Sequence, residues 1–251
     1  MLNVVLFDLG NTLIYFDTNW PEVIAQSNQA LYTYLLKSGY KLDEAFPSIY
    51  SIRMNRYYQE RETEFIEYTA ELFLRDLMNE YGYGQVPAEI LKKAVATQFA
   101  VSQAHWLPEE DARPLLQLLK REGYRLGLIS NAIDPQDVRV LIDKGNFAPY
   151  FEVTLISAEV GLRKPHPKIF QIALDHFNVR PDEVVMVGDT LGADILGANN
   201  LGIASVWINR RMVMRPDNLA HDDTILPKAT ISALSELPGL LQAWKIQSGL
   251  F

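Results

Sequence analysis

Apolar residues follow two different spacings along the chain, and the spacing predicts where strands and helices lie. Short continuous runs rich in Val, Leu and Ile are typical of strands buried on both faces of a parallel sheet. Such runs occur at 4–9, 124–129, 151–157, 183–187 and 203–208. Between the first two runs, apolar residues recur every three or four positions, which is the spacing of amphipathic helices. The pattern therefore predicts a sheet whose first two strands are separated by a long helical segment.

Four helices are predicted in that segment, between about residues 20 and 104. They begin near Pro21, Pro47, Glu62 and Pro87, and two of them end at Gly39 and Gly82. Proline is tolerated in the first turn of a helix and glycine is favoured just after the last one. Because the connections are short, the four helices favour an antiparallel bundle. We expect an all-helical domain at 17–105, inserted into a core formed by 1–16 and 106–251.

In the core, strands alternate with predicted helices, among them 168–178 and a last helix at 231–244. Alternation of this kind is typical of an α/β fold with a doubly wound parallel sheet and right-handed crossovers. The stretch 210–227 mixes Arg, Asp, Pro and His without periodicity, so we expect an exposed loop there.

Composition narrows the function classes. The 251 residues carry a net charge of −8 and contain no cysteine, which excludes disulfides, thiolate metal sites and a cysteine nucleophile. The acidic balance disfavours binding to nucleic acid or to an anionic membrane surface. No apolar run approaches the length of a membrane span, and the chain passes from Met1 into the first strand without a basic leader. We expect a cytoplasmic protein, either a monomer or a homodimer.

Polar side chains that can carry chemistry lie where predicted strands end. Asp8 follows the first strand, Ser130 and Asn131 follow the second, and Asp189 follows the strand at 183–187. Carboxyl ends of parallel strands share one edge of the sheet, and ligands of open α/β sheets bind there. A carboxylate at that edge can act as a nucleophile or as a ligand of a hard cation.

Four short stretches resemble, in order, the motifs of the haloacid dehalogenase-like hydrolases. They are Asp8–Thr12, Ser130–Asn131, Gly161–Pro165, and Gly188–Thr190 together with Asp194. The resemblance spans nearly the whole chain. It implies a Rossmann-like core with a helical cap between the first and second motifs, and a cap that closes over the active site and selects the substrate.

The resemblance also implies roles for single residues. Asp8 is the expected nucleophile, Lys164 neutralises it and the transferring phosphoryl group, and Ser130 with the amide of Asn131 grips a phosphate oxygen. The implied cofactor is Mg²⁺, with Asp8, the Gly10 carbonyl, Asp189 and Asp194 as its ligands or support. Asn11, and Thr12 at the end of the first motif, are expected near the substrate, which is a small phosphate ester or acyl phosphate.

The predicted cap holds nine of the twelve tyrosines, with several arginines close by. Tyr and Arg offer polar tips on large bodies, so they can line a pocket for a sugar or an anion. We expect Arg53 and Arg56 to contribute to substrate binding. Packing of a helical bundle alone also accounts for the tyrosines, with the arginines solvated.

One position departs from the phosphatase pattern. Related phosphatases have a second Asp two residues after the nucleophile, which serves as general acid and then as base, whereas this chain has Gly10 there. Since such a group contributes about 10²–10⁴ in rate, we expect slow turnover of alkyl phosphates. Asn11 could orient water, Asp17 or a cap residue could supply the proton, or the substrate could leave without one.

The same departure keeps two alternatives open. A 2-haloacid dehalogenase also uses a strand-end Asp without a second Asp, because halide leaves unprotonated. Against this, Asp189 and Asp194 match the metal-binding form of the fourth motif. A non-catalytic protein that binds phosphorylated metabolites is the third possibility, although Asp8, Lys164 and Asp189 are all retained.

Overall fold

A six-stranded parallel sheet forms the centre of the computed structural model, which describes residues 2–211 and 224–248. The strands are, in chain order, β1 (Val4–Phe7), β2 (Ile14–Phe16), β3 (Trp106–Pro108), β4 (Arg125–Ser130), β5 (Phe151–Ile156), β6 (Val184–Gly188), β7 (Ala204–Ile208) and β8 (Ala229–Ile231). The order across the sheet is β5-β4-β1-β6-β7-β8, so β1 is central and pairs with both β4 and β6. The predicted α/β fold with a doubly wound parallel sheet is confirmed.

Helices of the core cover both faces of this sheet, and further helices form the insert. In chain order they are α1 (Trp20–Lys37), α2 (Phe46–Glu64), α3 (Ala70–Glu80), α4 (Ala88–Gln103), α5 (Ala112–Arg121), α6 (Pro135–Lys144), α7 (Ser157–Val160), α8 (Pro167–Phe177), α9 (Leu196–Asn200) and α10 (Leu237–Ser248). Val5 and Phe7 face a cluster that includes residues of α5, α6 and α10. Val4 and Leu6 face a second cluster built largely from α8. This alternation follows from the two-residue repeat of a strand.

The helices α1–α4 lie between β2 and β3 and have a core of their own. Leu31, Leu35, Phe46, Tyr50 and Leu74 are all fully or almost fully buried in it. The sequence did not reveal β2 and β3, which form an antiparallel pair with Ile14 opposite Pro108 and Phe16 opposite Trp106. The helical insert therefore leaves and re-enters the core through one short ribbon.

The third helix of the insert begins later than the sequence predicts. A helix was expected from Glu62 to Tyr81, but α2 continues to Glu64 and α3 starts at Ala70. Phe65 ends α2 with a left-handed backbone, φ 55°, and the Thr69 hydroxyl accepts a hydrogen bond from the Leu72 amide and caps α3. We call residues 65–69 the seam loop.

Two further differences concern the C-terminal part. The last helix was expected from Ile231, but Ile231 ends β8 and α10 begins at Leu237 after a 3₁₀ turn at Leu234–Glu236. Most of the loop predicted at 210–227 lies outside the described residues. Across residues 2–211 and 224–248, helices long and apolar enough to cross a bilayer are absent.

Candidate active site

The register of the central strands brings the predicted motif residues together at one edge of the sheet. Phe7 is opposite Leu128 of β4 and Val187 of β6, and the Asp8 amide donates to the Val187 carbonyl at 2.9 Å. Asp8 and Asp189 therefore end neighbouring strands, with Ser130 at the end of the strand on the other side. All three side chains line one cleft of about 850 Å³.

The Lys164 ammonium lies at the bottom of this cleft, between two carboxylates. Its Nζ is 2.7 Å from Asp8 Oδ1 and 2.7 Å from Asp194 Oδ1, and it donates to the Ile129 carbonyl at 2.6 Å. The lysine side chain is only 1% exposed. Burial lowers the pKa of Lys164, but Asp194 and Asp8 outweigh this effect, and the pKa stays above its ordinary value. The lysine is therefore a permanent cation beside Asp8.

Asn131 fixes the backbone that carries this lysine. Its side-chain oxygen accepts from the Lys164 amide at 2.9 Å, and its side-chain nitrogen donates to the Lys164 carbonyl at 2.9 Å. The side chain of Asn131 is thus occupied in positioning Lys164. Any contact of Asn131 with a ligand falls to its backbone amide, which is the group that the sequence analysis assigned.

Asp8, Asp189 and Asp194 form an acidic cluster in which three carboxylate oxygens lie within 4.8 Å of one another. Asp194 Oδ2 accepts from the Thr190 amide at 3.0 Å, and Asp189 Oδ1 accepts from the Thr190 hydroxyl at 2.9 Å. Gly188 makes room for the cluster, since a Cβ there would lie 2.3 Å from the Asp194 carboxyl group.

Charge in this cluster is out of balance. Burial raises the pKa of Asp194 to about 7; Lys164 opposes this shift, and Asp8 and Asp189 add to it. Three carboxyl groups face the Lys164 ammonium, so the cluster is net negative whether or not Asp194 carries a proton, and another cation can balance it. The donors are all hard oxygens, which suit Mg²⁺. The residues at this site therefore fit a divalent cation of that kind.

The helical insert supplies the opposite wall of the cleft. Tyr58, Arg61 and Glu62 of α2 line it, together with Trp20, Phe65 and Phe99. Arg163, the residue before Lys164, lines it from the core side. The sequence pointed to the arginines of α2, but neither Arg61 nor Arg163 was predicted to bind substrate. The helical repeat could have grouped these residues, since Tyr58, Arg61 and Glu62 are spaced three and four positions apart and lie on one helix face, which Arg53 and Arg56 do not share.

Arg53 and Arg56 are not brought to the Asp8 cleft. They line a separate groove of about 540 Å³ between α2 and α3. Arg53 pairs with Glu80, and Arg56 Nε lies 2.8 Å from Glu60. The Arg56 side chain is 76% exposed. Their expected contact with substrate therefore finds no support in the geometry.

Asn11 and Thr12 are buried behind the first strand end and do not line the cleft. Asn11 takes a left-handed backbone, φ 57°, which lets the chain turn after Asp8 and Gly10. Thr12 is fully buried, and its hydroxyl has no hydrogen-bond partner among the described residues. Both residues shape the first motif from behind.

Gly10 lines the cleft beneath the indole ring of Trp106. A Cβ at Gly10 would meet Trp106 at 3.6 Å, which is ordinary contact, and the backbone φ is outside the left-handed region. The absence of an acid at Gly10 is therefore not forced by space. Asp17, one suggested substitute, bonds His105 at 3.0 Å and does not line the cleft.

Asp137, a carboxylate that sequence reasoning missed, does line the cleft. It lies in the first turn of α6 and accepts from Gln103 Nε2 of α4 at 2.9 Å. Burial raises its pKa to about 7, with the Gln103 hydrogen bond opposing and Asp134 adding to the shift. No motif or spacing marks this residue in the sequence.

Known proteins that are similar in sequence and in structure point to the same family of hydrolases as the site residues do. Residues 2–202 match the family model described as haloacid dehalogenase-like hydrolase. The chain is 32% identical to a glyceraldehyde 3-phosphate phosphatase of Pyrococcus furiosus, over 99% of this chain and 95% of that protein.

Two solved structures extend the comparison. A 2-haloacid dehalogenase from Pseudomonas syringae pv. Tomato DC3000 superposes with a TM-score of 0.70 at 25% identity, covering 97% of this chain and 100% of that one. A HAD phosphatase from Thermococcus onnurineus superposes with a TM-score of 0.63 at 26% identity, covering 96% of this chain and 98% of that one. On the family match and this full-length similarity, the chain belongs to the haloacid dehalogenase-like hydrolases and is an enzyme.

Proposed function

We propose that this enzyme is a Mg²⁺-dependent phosphoric monoester hydrolase that acts on a small phosphorylated metabolite through a phosphorylated Asp8. The observation that carries the proposal is the Lys164 ammonium held 2.7 Å from Asp8 within a cluster of three carboxylates. The name of the Pyrococcus furiosus relative, a phosphatase, supports the same reaction class.

In this mechanism a carboxylate oxygen of Asp8 attacks the phosphorus atom, and the ester oxygen departs with its electron pair. Water then hydrolyses the acyl phosphate, which releases inorganic phosphate and restores the Asp8 carboxylate. Lys164 offsets the negative charge that gathers around Asp8. The Ser130 hydroxyl and the Asn131 backbone amide hydrogen-bond the phosphoryl oxygens.

Asp8, Asp189 and the Gly10 carbonyl are the groups proposed to hold Mg²⁺, with Asp194 supporting them. When bound, the cation supplies positive charge that lets an anionic nucleophile approach an anionic phosphate. Asp194 already pairs with Lys164 at 2.7 Å, so one buried acid links the cation site to the catalytic lysine.

The leaving group receives no proton from position 10 in this mechanism. Turnover should therefore be slow for alkyl phosphates and faster for aryl and acyl phosphates, whose leaving groups are stable as anions. The Trp106 ring borders the place where the Cβ of an acid at position 10 would stand, at 3.6 Å.

A 2-haloacid dehalogenase is the second candidate function. Gly10 favours it, and so does the similarity to the Pseudomonas syringae dehalogenase. The acidic cluster counts against it, because displacement of halide from carbon has no need of three converging carboxylates.

The test is phosphate release from p-nitrophenyl phosphate, acetyl phosphate and a set of sugar and three-carbon phosphates, with Mg²⁺ or with EDTA. Asp8→Asn should lower turnover by about 10⁴-fold or more, because the covalent route is lost. Asp17→Asn is the matched control, since Asp17 lies outside the cleft.

Halide release from 2-chloropropionate is measured alongside. Phosphate release that EDTA and Asp8→Asn both abolish is the expected result. Halide release that EDTA leaves unchanged would establish the dehalogenase instead. Absence of turnover on all of these substrates would favour a protein that only binds phosphorylated metabolites.

A further inference from the structure

Two largely buried arginines line the cleft at the boundary between the helical insert and the core. Arg61 belongs to α2, and Arg163 immediately precedes Lys164. Their side chains are 15% and 8% exposed, and both line the cleft that contains Asp8. A guanidinium this deeply buried needs an anionic or hydrogen-bonding partner.

One buried carboxylate serves both cations. Glu67 of the seam loop is fully buried, and its Oε1 accepts from Arg61 Nη1 at 2.6 Å and from the Tyr57 hydroxyl at 2.7 Å. Its Oε2 accepts from the Ser157 hydroxyl at 3.0 Å and lies 3.4 Å from Arg163 Nε. Two buried positive charges thus share one buried negative charge.

The remaining partner of Arg163 comes from solvent-exposed Glu62. Its carboxylate pairs with Arg163 Nη1, yet the Glu62 side chain is 60% exposed while that of Arg163 is 8% exposed. Glu62 therefore loses little by turning back into water. It occupies a position that a carboxylate from another molecule could take.

Among the described residues, N–H groups of both arginines remain without an acceptor near Glu62. Arg61 Nε is buried without an acceptor, and neither Arg61 nor Arg163 donates from Nη2 to any described residue. The Tyr58 ring lies 4.2 Å from the Arg61 guanidinium carbon and limits the planes that the guanidinium can adopt. Arginines with free, oriented N–H groups bind carboxylate or phosphate through paired hydrogen bonds.

We propose that Arg61 and Arg163 form a second anion site, which binds a carboxylate or second phosphate on the leaving-group part of the substrate and displaces Glu62. This inference rests on the proposed phosphatase function and names its substrate class, a phosphate monoester that carries another anionic group. Arg61, Arg163 and Lys164 all line the cleft of about 850 Å³ that contains Asp8. The two anionic groups of a small metabolite can therefore reach both sites.

The first experiment compares 3-phosphoglycerate with glyceraldehyde 3-phosphate, two esters that share a carbon skeleton and differ in a carboxylate against an aldehyde. The wild type should favour the acid, chiefly through KM. Arg61→Gln should lower the ratio of kcat/KM for acid over aldehyde by about 10- to 100-fold, the size expected for a charged hydrogen bond. Arg61→Lys should restore part of that ratio.

Arg56→Gln is the matched control on the same helix. Arg56 pairs with Glu60 outside the cleft, so the ratio should stay within twofold of the wild type. A second substrate pair, fructose 1,6-bisphosphate and fructose 6-phosphate, distinguishes a second phosphate from a carboxylate. Preference for the bisphosphate alone would assign the site to phosphate.

Glu62→Gln separates ligand binding from structural support. It removes the displaced carboxylate, so the KM for 3-phosphoglycerate should fall by about 3- to 10-fold. If the arginines only join the insert to the core, this variant gains nothing and the proposal is overturned.

Binding is also measured without turnover, by calorimetric titration of the Asp8→Asn protein with 3-phosphoglycerate. When Arg61→Gln is introduced into the Asp8→Asn protein as a second substitution, the binding of 3-phosphoglycerate should weaken about 10-fold or more. Equal preference for acid and aldehyde, with binding insensitive to Arg61, would overturn the anion site while leaving the phosphatase intact. Loss of all Asp8-dependent phosphate release would instead remove the proposed function.

Discussion

The cleft has two walls that are built by different means. In the core wall, Asp8, Lys164 and Asp194 contact one another directly, and each is held by strand ends or their loops. In the wall formed by the insert, Arg61 and Glu67 are buried, but Glu62 beside them is largely in solvent. The core wall fixes the reacting groups, whereas the insert wall leaves a replaceable contact. In the proposed function, the core would carry out the reaction, and the insert would share recognition with Arg163 of the core.

The largest expected effect tests whether the core wall lacks only a proton donor. Gly10→Asp should raise kcat/KM on alkyl phosphates by about 10²–10³-fold, or roughly 3–4 kcal/mol at the barrier, because an acid then reaches the leaving oxygen. The new Cβ fits, since its nearest neighbour would be Trp106 at 3.6 Å. The gain should be small on p-nitrophenyl phosphate.

Gly10→Asn controls for shape in this experiment. It adds a side chain of nearly the same size without a transferable proton, so it should not accelerate alkyl phosphates. An equal gain in both variants would mean that packing against Trp106, rather than proton transfer, limits the wild type.

The second-largest effect is expected from a substitution at Glu67 in the seam loop. Glu67→Gln should lower the free energy of unfolding by about 3 kcal/mol, because Arg61 and Arg163 then share no buried negative charge. Urea unfolding measures this directly. Glu60→Gln is the control: Glu60 is 59% exposed beside Arg56, so its loss should cost at most about 0.5 kcal/mol. Similar losses in both variants would contradict the special position of Glu67.

The smallest of these effects depends on pH. Asp137 keeps its proton in the folded state up to a pKa of about 7, against an ordinary 3.8, because it is buried. Unfolded chains release that proton earlier, so stability should fall as pH rises through this window and level off above it. Between pH 5 and 8 the wild type should lose about 2–3 kcal/mol more than Asp137→Asn.

Urea unfolding at pH 5, 6, 7 and 8 checks this difference. Other groups, including Asp194, titrate in both proteins and cancel in the comparison. The Asn variant can still accept from Gln103, so the contact between α4 and α6 is retained. Parallel stability curves for the two proteins would contradict the raised pKa of Asp137.

The core wall could largely be predicted from sequence because the ends of buried strands are visible as abrupt ends of apolar runs. The apolar run before Asp8 and the run before Asp189 stop abruptly in carboxylates, and parallel pairing then forces those ends together. Lys164 was found through its motif alone. Its contact with Asp194 could not be foreseen, since it depends on how the loop before α8 folds over β4.

The insert wall was harder to predict because its residues depend on helical phase. A helix of α2's length presents arginines on several faces. The helical repeat separates Arg61 from Arg53 and Arg56, but only the packing of α2 shows which of these faces lines the cleft. The break at Phe65 was also hidden, since apolar residues continue through it at helical spacing. Ile66 bridges to Leu162 there, a tertiary contact that overrides the local pattern.

The ribbon of β2 and β3 has a consequence for how such enzymes can diverge. Ile14 faces Pro108 across it, so the chain departs from the sheet and returns at a single point. A helical segment of another length or sequence could be grafted at that point without altering the register of β1, β4 and β6. The contacts between insert and core would have to be rebuilt, among them the bridge between Ile66 and Leu162 and the pair of Glu67 with Arg163. Under the proposed function, exchange of this one segment would change the substrate range, while Asp8, Lys164 and Asp189 would keep their places.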